Sequence, residues 1–267
     1  MSDATFSIDD TEVFGTTVNV VSQDEAVGWI IAEALTVGSD GCSAVVTPNM
    51  DHCVRLRTDA RFRRAYRTAF LRVADGMPLV WASRLTGRAL PERVTGADLV
   101  EPLCAAAAEA ELRVFLLGPS EAVNRAAAAR LTERHPGLQI AGTFAPSYGF
   151  IDDMAERARM VEAVNASGCN LLFVALGSPR QEIFVAEHQH ELRCGVALGV
   201  GAALDFLAGT QQRAPKWTRR LGLEGVYRAL SNPRRLFVRY ARCAYWLPLL
   251  MAGQAGVSLR GAARAAA

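Results

Sequence analysis

The chain has 267 residues, 51% hydrophobic and 21% charged, with a formal net charge of +2. That composition is globular and supplies enough apolar side chain for one large domain, or one domain with an appendage, rather than two equal halves. Its six cysteines (Cys42, Cys53, Cys104, Cys169, Cys194, Cys243) form no C-x-x-C pair, which excludes a disulfide frame or a zinc site and reads as buried thiols in a reducing compartment.

The opening residues MSDATFSIDDTEVFG are polar and acidic, so no signal peptide is expected and the chain is placed on the cytoplasmic side. Short apolar runs then alternate with helical patterns as far as residue 207. The candidate strands are SAVVTPN (43–49), AFLRVAD (69–75), RVFLLG (113–118), LQIAGTF (138–144), NLLFVALG (170–177) and GVALGVG (195–201). ADLVEPLCAAAAEAE and EAVNRAAAARLTERH are the clearest helices, the second stopped by His135-Pro136-Gly137. Continuous β-rich runs between helices predict a Rossmann-like, mostly parallel sheet with helices on both faces. The expected division is an α/β domain over 1–209 and a basic helical appendage over 210–267.

Ligands of open parallel sheets bind beyond the carboxyl ends of the strands. Those ends here are rich in polar residues and glycine: Thr47-Pro48-Asn49, Asp75-Gly76, Gly118-Pro119-Ser120, Gly177-Ser178-Pro179-Arg180-Gln181-Glu182 and Gly199-Val200-Gly201. Any one such turn is explained by the needs of a βα connection; five converging turns indicate a site. A Gly-Ser-Pro helix start leaves backbone N–H groups that suit a phosphate. Asp75, between an apolar run and Gly-Met-Pro, either caps the next helix or takes a proton. Arg93 either contacts a ligand or pairs with Glu92 on the surface. Gln181 lines the pocket or caps its helix, and Asp205 contacts a nucleoside or caps the next turn.

Past Gly209 the strand pattern ends. Residues 213–242 hold nine basic side chains against Glu224 alone, so this segment is +8 and the remainder −6. Arg235, Arg239 and Arg242 run at i, i+4 and i+7 beside Leu236, Tyr240 and Cys243, an amphipathic helix beginning near Pro233. The apolar stretch Tyr245–Met251 is broken by Pro248, Gly253 and Gln254 and is shorter than the roughly 20 residues that span a bilayer. The pattern suits an anionic membrane surface, a docked helix with a solvated basic face, or a second subunit; a nucleic-acid patch is disfavoured.

Several chemistries lack their signatures. Gly199-Val-Gly201 has Leu204 where a dinucleotide fingerprint needs glycine, and no acid follows about 20 residues on. No P-loop, no G-x-S-x-G elbow, no H-E-x-x-H and no D-x-D is present, so no catalytic metal is indicated. Asp152-Asp153 reads as a helix cap.

Together, "TPNMDHCVRLR", "VADGMPLVWASRLTGRALPERVTGADL", "FLLG", "FVALGSPRQE", "GVGAALDFLAGTQQRAPKW" and "GLEGVYRALSNPRRLFVRY" resemble, in order over about residues 44–242, the WecG/TagA/CpsF family of glycosyltransferases (glycosyltransferase family 26). The resemblance implies an inverting, metal-independent enzyme with no cofactor. It would move a sugar (N-acetylmannosamine, its uronate or glucose) from a UDP-sugar to an undecaprenyl-diphosphate-linked saccharide at the cytoplasmic membrane face. It places Asp75 on the general base, and Thr47, Asn49, Arg93 and Gln181 on pocket residues. Gly118, Gly177, Ser178, Gly201 and Asp205 join the expected binding surface. The appendage would close the site with an arginine, the nearest being Arg213, Arg219 and Arg220. The chain departs from the family at Leu223-Glu224-Gly225, where Leu-Glu-Trp is usual, and at Met50-Asp51. Against this enzyme stand a nicotinamide-dependent oxidoreductase on the same type of sheet and a non-catalytic, membrane-associated nucleotide-sugar binder.

Overall fold

A computed structural model describes residues 8–36, 41–215, 218, 224, 227 and 241–256. Six strands form one sheet in the order β4-β3-β8-β7-β5-β6, every neighbouring pair parallel. They are β3 (Ser43–Val46), β4 (Leu71–Arg72), β5 (Arg113–Leu117), β6 (Gln139–Phe144), β7 (Leu171–Val174) and β8 (Val196–Gly199). All six expected strands are present. The greatest difference is at 69–75, where the ladder takes only two residues and leaves Val73 to Asp75 as an extended exit toward the site.

Both faces of the sheet are apolar because both are covered. Along β5, Val114 and Leu116 face one way with Leu171 and Phe173 of β7, packing under α1 (Gln23–Leu35), α5 (Gly96–Glu109), α6 (Glu121–Arg134) and α9 (Ala203–Ala208). The alternate residues Phe115, Leu117, Leu172 and Val174 face α7 (Met154–Ser167) and α8 (Arg180–His188). The period of two along each strand thus supplies two cores, and the helices on each side bury them. Helix α6 ends at His135 as expected, and Asp153 caps α7 through the Glu156 N–H. Five cysteines are buried and Cys243 is half-buried, all of them free thiols.

The N-terminal hairpin of β1 (Asp10–Val13) and β2 (Thr16–Asn19) was not expected from sequence. Its turn puts Phe14 and Gly15 at φ +54° and +75°, the sign at both central residues that a type I′ hairpin turn requires. Asn19 then accepts from the Arg72 N–H at 2.8 Å, satisfying a donor on the edge strand β4.

Residues 241–256 are continuously helical, through Pro248 and Gly253, so the expected interruption does not occur. This helix lays Cys243, Trp246, Leu247, Leu250 and Met251 against a third core, formed by the hairpin, α2 (Met50–Arg55) and α4 (Met77–Ser83). Gln254 is no breaker. It accepts from the Phe14 N–H at 2.8 Å and donates to the Glu12 carbonyl at 3.1 Å, acting as one more rung on the hairpin. Of the three uses considered for the apolar stripe, the described part shows packing on its own domain. Among the described residues, no helix is long and apolar enough to cross a membrane.

Candidate active site

The chain leaves β3 toward the β4 edge and β5 toward the β6 edge, so the sheet reverses its winding between them. In open α/β sheets ligands bind at such a switch point, here the region beyond the carboxyl ends of β3, β8 and β7. A chain of short-range contacts gathers the candidate residues there. The Asp75 N–H donates to the Pro48 carbonyl at 2.7 Å and the Val94 N–H to the Ala74 carbonyl at 2.9 Å, which sets the Thr47–Asn49 turn, Asp75 and Arg93 side by side. A Cβ on Gly96 would lie 2.5 Å from the Gly199 carbonyl, and one on Gly199 would lie 2.7 Å from Gln181 Nε2. Bare backbone at both positions therefore lets the α5 start and the 177–181 turn close on the end of β8.

Asp75 is half-buried. Helix α4 is capped not by it but by Gly76, at φ +148°, with Pro78 in the first turn and no side-chain capping bond. Only glycine adopts that conformation readily. The glycine thus carries the sharp turn while Asp75 stays on the strand end. The N-cap position of α4 thus belongs to Gly76 and not to Asp75.

Below this turn lies a buried polar pair that the sequence reading missed. His52 Nδ1 and the Tyr66 hydroxyl are 2.6 Å apart. Burial, with the nearby Glu182, Cys53 and Asp75, pushes the Tyr66 phenol well above its ordinary value, so Tyr66 stays neutral in the working range. His52 sits in the first turn of α2, where Asn49 Oδ1 accepts its N–H at 3.1 Å. Asn49 is accordingly the N-cap of α2, and Thr47 is buried one step before it on the same turn.

On the opposite side, the Gln181 amide is committed inward: it accepts from the Gly177 N–H at 3.1 Å and donates to Glu182 at 2.9 Å. Of the two roles considered for it, holding the helix start is the one the geometry shows. Helix α8 has no side-chain cap at Pro179; the Gln181 N–H in its first turn donates to the Gly177 carbonyl at 3.2 Å, and the positive end of the helix faces the turn, where an anion would be favoured. The Ser178 hydroxyl in that turn is buried and lacks a hydrogen-bond partner among the described residues. Gly118 closes the rim at β5, where a Cβ would strike Asn124 at 1.6 Å. Gly201 takes φ +57° ahead of α9. Asp205 accepts from the Thr210 hydroxyl at 3.0 Å, which uses its carboxylate to shape the exit from α9.

Arg93 does not pair with Glu92, which instead accepts from the Gln23 N–H at 2.8 Å. Its guanidinium bonds Asp98 at 3.2 Å and Glu224 at 2.9 Å. Asp98 also accepts from Thr95 Oγ1 at 2.8 Å and Arg213 at 2.6 Å. Burial alone would raise the Asp98 carboxyl, but Arg213, Thr95 and Arg93 outweigh it and hold the group below its ordinary value. Arg213 lies over the Phe206 ring at 5.8 Å, and its Nε is buried without a hydrogen-bond partner among the described residues. Asp98 is thus the hub of a four-member ionic network that carries Arg93 and Arg213 to the same rim and ties in the segment beyond 209. It was missed because an acid two residues into a helix reads as an ordinary first-turn carboxylate. Arg219 and Arg220 lie outside the described residues. Among the described residues, no group of three or more His, Cys, Asp or Glu could hold a metal ion.

The arrangement is a carboxylate on a strand end, an uncapped helix start and two arginines shared by one acid, all at one switch point. The sequence model of the glycosyl transferase WecG/TagA/CpsF family matches residues 11–258. Similar curated proteins include N-acetylglucosaminyldiphosphoundecaprenol N-acetyl-beta-D-mannosaminyltransferases of three species. That of Bacillus spizizenii is 34% identical over 191 residues, 72% of each chain. The Bacillus subtilis protein is 34% identical over 161 residues, 60% of each chain. A Staphylococcus aureus protein is 31% identical over 192 residues, 72% of this chain and 73% of its own. The chain belongs to the WecG/TagA/CpsF family of glycosyltransferases.

Proposed function

We propose that this glycosyltransferase moves a sugar from a UDP-sugar to an undecaprenyl-diphosphate-linked saccharide, with inversion and without a metal, at the cytoplasmic face of the membrane. N-acetylmannosamine is the favoured sugar, on the printed activity of the relatives. The observation that carries the reading is the Asp75–Gly76 turn: the glycine takes the strained helix start, and the carboxylate remains at the strand end beside Arg93.

In the proposed reaction an acceptor hydroxyl gives its proton to Asp75 and its oxygen attacks the anomeric carbon. The bond from that carbon to the diphosphate oxygen breaks on the opposite face, and UDP leaves. Negative charge grows on the departing diphosphate. Arg93 and Arg213, held on Asp98, and the positive end of α8 would stabilise it. Their pre-set positions avoid reorganisation during the step. The lipid-linked acceptor makes the enzyme a peripheral membrane protein in this reading.

The test is transfer from a panel of UDP-sugars to detergent-solubilised polyprenyl-diphosphate-linked N-acetylglucosamine, with and without EDTA. Product from UDP-N-acetylmannosamine, unchanged by EDTA, is expected. Product only from a nucleotide other than UDP, or activity abolished by EDTA, would contradict the donor or the metal-free part respectively.

A further inference from the structure

The chain holds a second concentration of positive charge that the sequence reading passed over. Arg55, Arg57, Arg61, Arg63, Arg64 and Arg67 stand between residues 55 and 67 against the single acid Asp59. They form the corner between α2 and α3 (Ala60–Arg67). Helix α3 buries Phe62, Ala65 and Tyr66 and leaves Arg61, Arg64 and Arg67 exposed, so its outer face is almost wholly guanidinium.

This corner meets the C-terminal helix. The Arg57 guanidinium lies over the Trp246 ring, 5.5 Å from its centroid, and Arg242 pairs with the buried Asp51 of α2. Between the two elements is an open cavity of about 600 Å³ whose lining includes Arg55, Arg57, Arg61, Arg242 and Trp246, with Asp59 its one acid. Arg61 is held by Glu187 at 2.8 Å, while the Arg55 Nε is buried without a hydrogen-bond partner among the described residues. The same C-terminal helix exposes Tyr245 at 69% and Leu249 at 52%.

Guanidinium groups match phosphate oxygens in geometry and charge. Exposed Tyr and Leu beside them would gain from the boundary between headgroups and acyl chains. A nucleic-acid backbone would satisfy the arginines but leave Leu249 in water. We propose that the α2–α3 corner and the C-terminal helix form one docking surface for anionic phospholipid, the cavity receiving a headgroup phosphate. The proposal deepens the lipid-linked reading above and rests on it for its purpose, not for its chemistry. It moves membrane contact onto the catalytic domain itself. Because α2 starts at the Asn49 turn and has six residues, a lipid at its far end lies about 9 Å of helix from the strand-end site. Docking there would set the orientation of the active site to the bilayer.

The test is co-sedimentation of the full chain with phosphatidylcholine vesicles, with or without phosphatidylglycerol, for wild type, Arg57→Ala/Arg64→Ala and Arg57→Lys/Arg64→Lys. Neither arginine belongs to the catalytic machinery. The alanine pair is expected to weaken binding to anionic vesicles by about ten- to thirtyfold, and the lysine pair to retain most of it. Transfer in detergent micelles should stay at the wild-type rate in both variants. Wild-type-like vesicle binding by the alanine pair, equal binding to neutral vesicles, or tighter binding to RNA than to anionic vesicles would each overturn the surface. So would a matching loss of transfer in micelles. Absence of transfer from every donor, with vesicle binding as expected, would overturn the enzymatic reading and leave the surface standing.

Discussion

At the Asp75 end of the site the fixed points are backbone: Asp75 N–H on Pro48, Val94 N–H on Ala74, a glycine at φ +148° and another that lets Gln181 approach β8. At the Arg93 end they are charged side chains, with Arg93, Asp98, Arg213 and Glu224 holding one another, each side chain 15–23% exposed. Backbone bonds between strand exits respond little to pH or salt, whereas partly exposed ion pairs respond to both. The first end is suited to holding a base in fixed geometry. The second is suited to presenting two cations to a developing negative charge.

The largest effect expected at the ionic end is that of Arg93→Ala, which in the proposed reaction removes a donor to the leaving diphosphate and breaks the links to both acids. Turnover should fall by about 10²–10³-fold, read as kcat with saturating donor; an unchanged kcat would confine Arg93 to structure. Asp98→Asn keeps shape but removes the shared counter-charge. A misplaced Arg93 and Arg213 should cost about ten- to hundredfold in kcat/KM for the donor. Protease cleavage beyond residue 209 should become faster in the same variant. Unaltered kinetics and proteolysis together would dissolve the network's role.

The backbone end should break differently. Gly199→Ala drives a methyl into Gln181 and is expected to lower stability by about 1–3 kcal/mol, seen as a lower urea midpoint. Salt should not deepen that loss.

The smallest effect concerns acid. Asp98 is held below its ordinary value of 3.8. The stability it contributes is therefore fully present above that value and lost as pH falls below it through the depressed one. An acid titration of unfolding should show Asp98→Asn converging on wild type only under strongly acidic conditions. Convergence near neutral pH would contradict the shift.

The contrast also marks what could be read from sequence. Strand runs such as NLLFVALG are apolar on both faces, so their period and the intervening helices made the parallel sheet legible, and the glycine-rich strand ends pointed to the candidate site, which the fold gathers at one end of the sheet. The hairpin at 10–19 escaped because its alternation is short and its turn uses Phe14, a side chain rarely found at positive φ. Asp98 escaped because its meaning depends on Arg213, 115 positions away, and nothing local announces that pairing. His52 and Tyr66 are 14 positions apart and read as ordinary helix residues until folding buries them together. Pro248 misled in the other direction, since an exposed proline in a docked helix is tolerated when packing on neighbouring turns holds it.

The role of Asp75 as the base is tested directly by one comparison. Asp75→Asn and wild type would be assayed for UDP-N-acetylmannosamine binding by calorimetry and for transfer to the lipid-linked acceptor. Nearly unchanged donor affinity is expected, with transfer reduced by at least about 10²-fold. Transfer within a few-fold of wild type, at equal affinity, would remove Asp75 from the base role and with it the reason for the Gly76 turn.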